Sequence, residues 1–264
     1  MGGYDERQAI VATVEVYRPS NDAWRSVAAL PMPLHHVNVA AARGRLYVVG
    51  ALRGVNFAAT GITLEYDPAT DAWRTRASMP SGSERGASAV ATIGDRIYVA
   101  GGQRGGGGVS DFSTYDPASD SWQSLQNMPT ARDHMFGAVV GGMLYVIGGR
   151  NAGGLRDEVE FYDPQASRWS VGRPMPTARG GAMGDVVGGK IYVVGGEGNS
   201  AVTSGVFDSN EAYDPVTNSW TVLERMRTPR HGTQAVGLNG VLYVPGGANR
   251  QNFAAVSTHE TFTP

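Results

Sequence analysis

"YVIGGRNA" at residues 145–152 carries the fold signal of this 264-residue chain. A short aromatic and β-branched run ends in two glycines and passes into a polar loop. That is how a strand reads when neighbouring backbone comes too close for a side chain. The same stretch recurs as "YVAGGQRG" (98–105), "YVVGGEGN" (192–199) and "YVPGGANR" (243–250), and as "YVVGALRG" (47–54) with Ala51 in the second glycine position. The opening residues, "MGGYDERQAI", read as the end of one more such strand.

Working outward, all the tryptophans (Trp24, Trp73, Trp122, Trp169 and Trp220) follow a spacing of about 49 residues, which marks a repeat architecture. Tyr17, Tyr66, Tyr115, Tyr162 and Tyr213 precede the turn "DP", written "RP" in the first copy, and Phe262 continues the series. Asp opens that turn and Pro presets its second φ. Each unit therefore reads as four short strands. Strand a is small and apolar ("GAVV", 137–140), and a tight turn leads to strand b ("MLYVIGG", 143–149). A variable loop leads to strand c ("EVEFYDP", 158–164), and a turn delivers strand d at the Trp. Twisted four-stranded sheets with nothing else to cover their faces must stack on one another, and a ring of them closes as a β-propeller.

These motifs resemble the kelch family over essentially the whole chain. The resemblance implies an all-β propeller of four-stranded antiparallel blades, with residues 1–264 forming one domain. Leu64 and Ser113 depart from the strand-c Glu of the pattern, which is present as Glu15, Glu160, Glu211 and Glu260. The chain supplies strands c and d, then four complete units, then strands a, b and c ending at Pro264. That count predicts a six-bladed plan with one incomplete blade. The alternative is a closed five-bladed ring, in which the N-terminal d strand completes the C-terminal sheet.

Composition narrows the function. A formal net charge of −2 opposes a non-specific electrostatic grip on nucleic acid. No apolar run is long enough to cross a bilayer. Zero cysteines exclude a disulfide framework, a cysteine nucleophile and the Tyr–Cys copper site of galactose-oxidase-like kelch enzymes. The absence of cysteine and of a visible signal peptide fits the cytoplasm, and export stays open. No cofactor or metal site is expected.

Strands alternate in direction, so the b–c loops and the d–a connections share one face around the central channel. The d–a connections carry Arg85, Arg132, Arg179 and Arg230, each 16 residues before its glycine pair, with Leu34 in the equivalent place of the first complete unit. Arg53 and Arg150 come from b–c loops of the same face, as do Phe57 and Phe253; His35 lies at a strand-a entrance. Converging guanidiniums suit carboxylates or phosphates. In kelch adaptors that read acidic motifs, arginines at these two positions do that work, so the resemblance implies the same. The competing reading makes the repeated arginine a packing residue, paired with backbone carbonyls or the strand-c Glu. The leading expectation is a non-enzymatic module that binds a protein or acidic peptide on this face. The alternatives are a carbohydrate-active propeller of the sialic-acid mutarotase type, which would take a small anionic sugar, and an architectural repeat of a larger protein.

Overall fold

The computed structural model describes all of residues 1–264 and is built from 23 strands and one 3-10 turn. Four sheets are complete. The first holds β3 (Val39–Ala42), β4 (Arg45–Arg53), β5 (Ala58–Asp67) and β6 (Ala72–Arg76). The second holds β7 (Ala89–Ile93), β8 (Arg96–Arg104), β9 (Gly107–Asp116) and β10 (Ser121–Ser124). The third comprises β11 (Phe136–Val140), β12 (Met143–Ile147), β15 (Val159–Asp163) and β16 (Arg168–Val171); the small hairpin of β13 (Arg150–Asn151) and β14 (Gly154–Leu155) sits in its loop. The fourth holds β17 (Met183–Val187), β18 (Lys190–Val194), β19 (Asn210–Asp214) and β20 (Ser219–Val222). A three-stranded sheet follows, from β21 (Val236–Leu238), β22 (Val241–Pro245) and β23 (His259–Phe262). At the other end of the chain, β1 (Val14–Arg18) and β2 (Ala23–Val27) form a sheet of their own. β2 pairs with β1 and not with β23, so the N-terminal hairpin stands beside the C-terminal sheet instead of completing it.

The turns explain the register. Arg43-Gly44, Gly141-Gly142, Gly188-Gly189 and Asn239-Gly240 all have both residues at positive φ, the geometry that matches strand twist in a two-residue hairpin. The tyrosine and tryptophan columns meet as expected: Tyr66–Trp73, Tyr115–Trp122, Tyr162–Trp169 and Tyr213–Trp220 have ring centroids 5.0–5.3 Å apart. Each core cluster spans two sheets; Phe136, Tyr145 and Val159 of one pack on Ile191, Val193 and Tyr213 of the next.

The glycine pairs are where sheets approach most closely. A Cβ on Gly101, Gly148 or Gly195 would stand 2.8, 2.9 or 2.2 Å from the carbonyl oxygen of Arg132, Arg179 or Arg230 in the connection that enters the following sheet. The second glycine of each pair donates its N–H to that same carbonyl. Gly2 and Gly3, with φ of 59° and 96°, hold the same conformation, and Gly3 N–H donates to Leu34 O at 2.8 Å. The opening residues thus fill a glycine-pair position.

Candidate functional site on the loop face

The d–a connections bring the residue two places after each column position to the axis in a left-handed conformation: His36, Ala87, His134, Gly181 and Gly232. Their backbones form a chain of bonds around the channel. Ala87 N–H donates to His36 O, His134 to Ala87, Gly181 to His134 and Gly232 to Gly181, at 2.8–3.1 Å.

The column arginines do not face this mouth, which corrects the expectation of a guanidinium ring. Arg85, Arg132, Arg179 and Arg230 are each 0% exposed. Each donates from Nη2 to a strand-b carbonyl 14 residues on: Val99, Val146, Val193 and Val244. Arg132, Arg179 and Arg230 also donate to Glu160, Glu211 and Glu260 of strand c, while Arg85 uses the Ser113 hydroxyl at 2.8 Å. Burial lowers the pKa of Arg85, Arg132 and Arg179 from the ordinary arginine value, and that of Arg85, which has no carboxylate within hydrogen-bonding reach, falls to about 10. In the first complete unit the pair is replaced by two buried leucines, Leu34 and Leu64. These side chains hold each blade together, and their burial keeps them from a ligand at the mouth.

Arg150 does reach the mouth. It donates to Glu197 at 2.8 Å, to Asp133 at 3.4 Å and, from Nη2, to His134 Nε2 at 3.1 Å. That last bond places the His134 proton on Nδ1, which donates to Asp133. His231 donates from Nε2 to Arg250 O at 3.0 Å, and its Nδ1 lies 3.6 Å from Glu197. His35 is buried and donates from Nε2 to Gly54 O, so its Nδ1 accepts from His36 Nδ1 at 2.6 Å. Burial, with the nearby His134, His35 and Arg150, drives the His36 pKa down to about 2. No three of these side chains are arranged to share a metal ion. Asp133 and Glu197 both lie against Arg150, so its guanidinium charge is compensated within the network. The hydrogen bonds of Arg150 are directed at its own neighbours, Asp133, His134 and Glu197.

The remaining expected residues lie together on an adjacent sector. Phe57 packs on His35 and His36 at 4.8 and 5.4 Å; Tyr4 packs on His35 at 4.9 Å and on Phe253 at 4.5 Å. Phe253 is 38% exposed. Arg53 and Arg250 are exposed on the loops that carry Phe57 and Phe253, and neither forms an ion pair. Arg104, Arg150, Arg156 and Arg225 on the same face are each matched by a carboxylate. Sequence reading missed Asp133, Glu197 and Tyr4. The available signals were Asp133 at a position that is Gly86 or Gly180 in other units, and Tyr4 as the one tyrosine outside the columns.

Stacked blades joined at glycine pairs, with variable loops on one face, define a β-propeller scaffold. The chain matches the KLHDC2/KLHL20/DRC7 Kelch-repeats domain over residues 39–247, and it belongs to the kelch-repeat family. It is 35% identical over 264 aligned residues to the kelch-like protein terF of Aspergillus terreus, covering 95% of this chain and 58% of that protein. The F-box/kelch-repeat protein At1g67480 of Arabidopsis thaliana is 46% identical over 56 residues, 21% of this chain and 14% of that one. The chain therefore spans little more than half of one relative's length and a small part of the other's. In fold it is similar to the solved structure of YjhT, with a TM-score of 0.79 and 16% identity, covering 100% of this chain and 93% of that one. Kelch-repeat domains generally mediate protein–protein interaction, and this chain carries such a domain.

Proposed function

We propose that this propeller docks an acidic segment of a partner protein on its loop face, over the sector between Arg53 and Arg250. The observation that carries the reading is the pair of exposed arginines without carboxylate partners, flanking the Tyr4, Phe57 and Phe253 rings. Aromatic rings beside unmatched guanidiniums are the usual composition of a binding patch. A carboxylate that meets an arginine as water is excluded gains about 1.5 kcal/mol, close to tenfold in affinity.

The test is capture of peptides from a synthetic array in which Asp and Glu content varies around one aromatic residue. Wild type should retain the acidic-aromatic members. Arg53→Ala/Arg250→Ala should lose them by tenfold or more, while Lys190→Ala, on the a–b face, should not. Equal capture by wild type and the double variant would refute the proposal.

A further inference from the structure

The residue that follows each column position is tied to the b–c loop of its own unit. His35, Gly86, Asp133, Gly180 and His231 exchange two backbone hydrogen bonds with the residue just after the glycine pair: Leu52, Gln103, Arg150, Glu197 and Ala248 respectively, at 2.7–3.3 Å. Gly86 and Gly180 make this bridge without a side chain, so the fold asks for none at this position.

Two units nevertheless place histidine there, and each ring adds a third bond. His35 Nε2 donates to Gly54 O and His231 Nε2 to Arg250 O, both at 3.0 Å and both across 19 residues. In each case the acceptor stands two residues beyond the backbone bridge. These are the two units whose loops carry Arg53 and Arg250. Both rings are buried. His36 Nδ1 donates to His35 Nδ1 at 2.6 Å, which holds the His35 proton on Nε2, where the loop carbonyl takes it. Gly54 O also accepts from Phe57 N–H at 3.2 Å, so one carbonyl joins the ring to the turn that presents Phe57. On the other loop, Asn249 N–H donates to Ala254 O at 3.1 Å and closes the segment that presents Arg250 and Phe253.

We infer that His35 and His231 are positioning residues that hold the Arg53 and Arg250 loops in one conformation before a ligand arrives. The inference rests on the docking reading above and names what sets the geometry of that patch. Ordering a loop opposes association, so a loop ordered beforehand binds more tightly with no added contact.

The test compares two substitutions at each ring. Glutamine keeps an N–H donor on a side chain of similar reach, and leucine fills the space without one. Without ligand, the Phe57 amide should exchange several-fold faster in His35→Leu, and the Asn249 amide several-fold faster in His231→Leu. His35→Gln and His231→Gln should stay near the wild-type rates. The amides of residues 46–49 and of β22 should keep their rates in all variants, which separates release of a loop from general loosening. The affinity of the labelled pentapeptide Glu-Asp-Phe-Asp-Glu, measured by fluorescence anisotropy, should fall several-fold with leucine and recover with glutamine. Should a change at the fully buried His35 unfold the protein, the His231 pair decides. Unchanged exchange in the leucine variants would overturn the inference. So would equal acceleration by leucine and glutamine, which would reduce the rings to bulk, or unchanged peptide affinity in the leucine variants. If the wild type itself does not bind the peptide, the docking reading falls, and the exchange contrast alone decides whether the rings hold the loops.

Discussion

Arg132 donates from Nη1 to Glu160 Oε2 at 2.8 Å, and both side chains are sealed inside the blade. A charge pair so placed does not recruit ligands; it fixes the d–a connection against strand c. Removing one partner leaves the other charge buried and unpaired, which typically costs about 3–5 kcal/mol. Glu160→Ala and Arg132→Ala should each lower the denaturation midpoint by a corresponding amount, measured by urea titration. A loss below about 1 kcal/mol would mean that the pair is solvated in solution.

The first complete unit offers the reverse experiment. Leu34 and Leu64 are both buried at the places taken elsewhere by Arg and Glu. Leu64→Glu alone should destabilise by several kcal/mol, because a carboxylate enters an apolar site without a partner. Adding Leu34→Arg should recover a large part of that loss. A double-mutant cycle reads the coupling directly, and additive losses would show that the arginine cannot reach strand c in this unit.

His36 predicts a pH dependence. Its folded pKa, near 2, lies below its unfolded value of 6.5, so the folded state favours the neutral ring. The stability this provides is complete above pH 6.5 and is lost as pH falls from 6.5 toward 2, by about 1.4 kcal/mol per unit. His35 and His259, also lowered chiefly by burial, act in the same direction. The His36 ring resonances should show no titration between pH 8 and 4. The His36→Asn variant, suited to the left-handed φ of 50°, should have a flatter stability profile below pH 6.5. A midpoint near 6.5 for His36 would contradict its burial.

Trp73, Trp122, Trp169 and Trp220 each donate from Nε1 to a backbone carbonyl, of Ala28, Ala77, Gln126 and Arg173, while Trp24 has no such acceptor, and this predicts a contrast between tryptophans of identical sequence role. Trp122→Phe removes the donor to Ala77 O and should cost about 1 kcal/mol. Trp24→Phe removes a donor without an acceptor and should cost less than about 0.5 kcal/mol in the isolated protein. Equal losses would show that the indole nitrogen matters only as bulk.

The sequence by itself determined the blades. Period, glycine pairs, turn residues and the Tyr and Trp columns are local in the chain, and each acts through backbone geometry or packing that its own unit supplies. The spacing of Arg85, Arg132, Arg179 and Arg230 was equally plain, but their direction was not. A guanidinium on a d–a connection reaches the channel or the strand-c Glu according to how that connection folds beneath the loops. Only the tertiary structure decided for Glu160, Glu211 and Glu260, which stand 28–32 residues downstream of their arginines. The same holds at the mouth. Arg150, Asp133, His134 and Glu197 come from three different connections, and Tyr4 meets Phe253 across nearly the whole length of the chain. Such contacts follow from closing the ring, where each loop's neighbours are set by packing between blades, and that packing has no local signature in any one repeat.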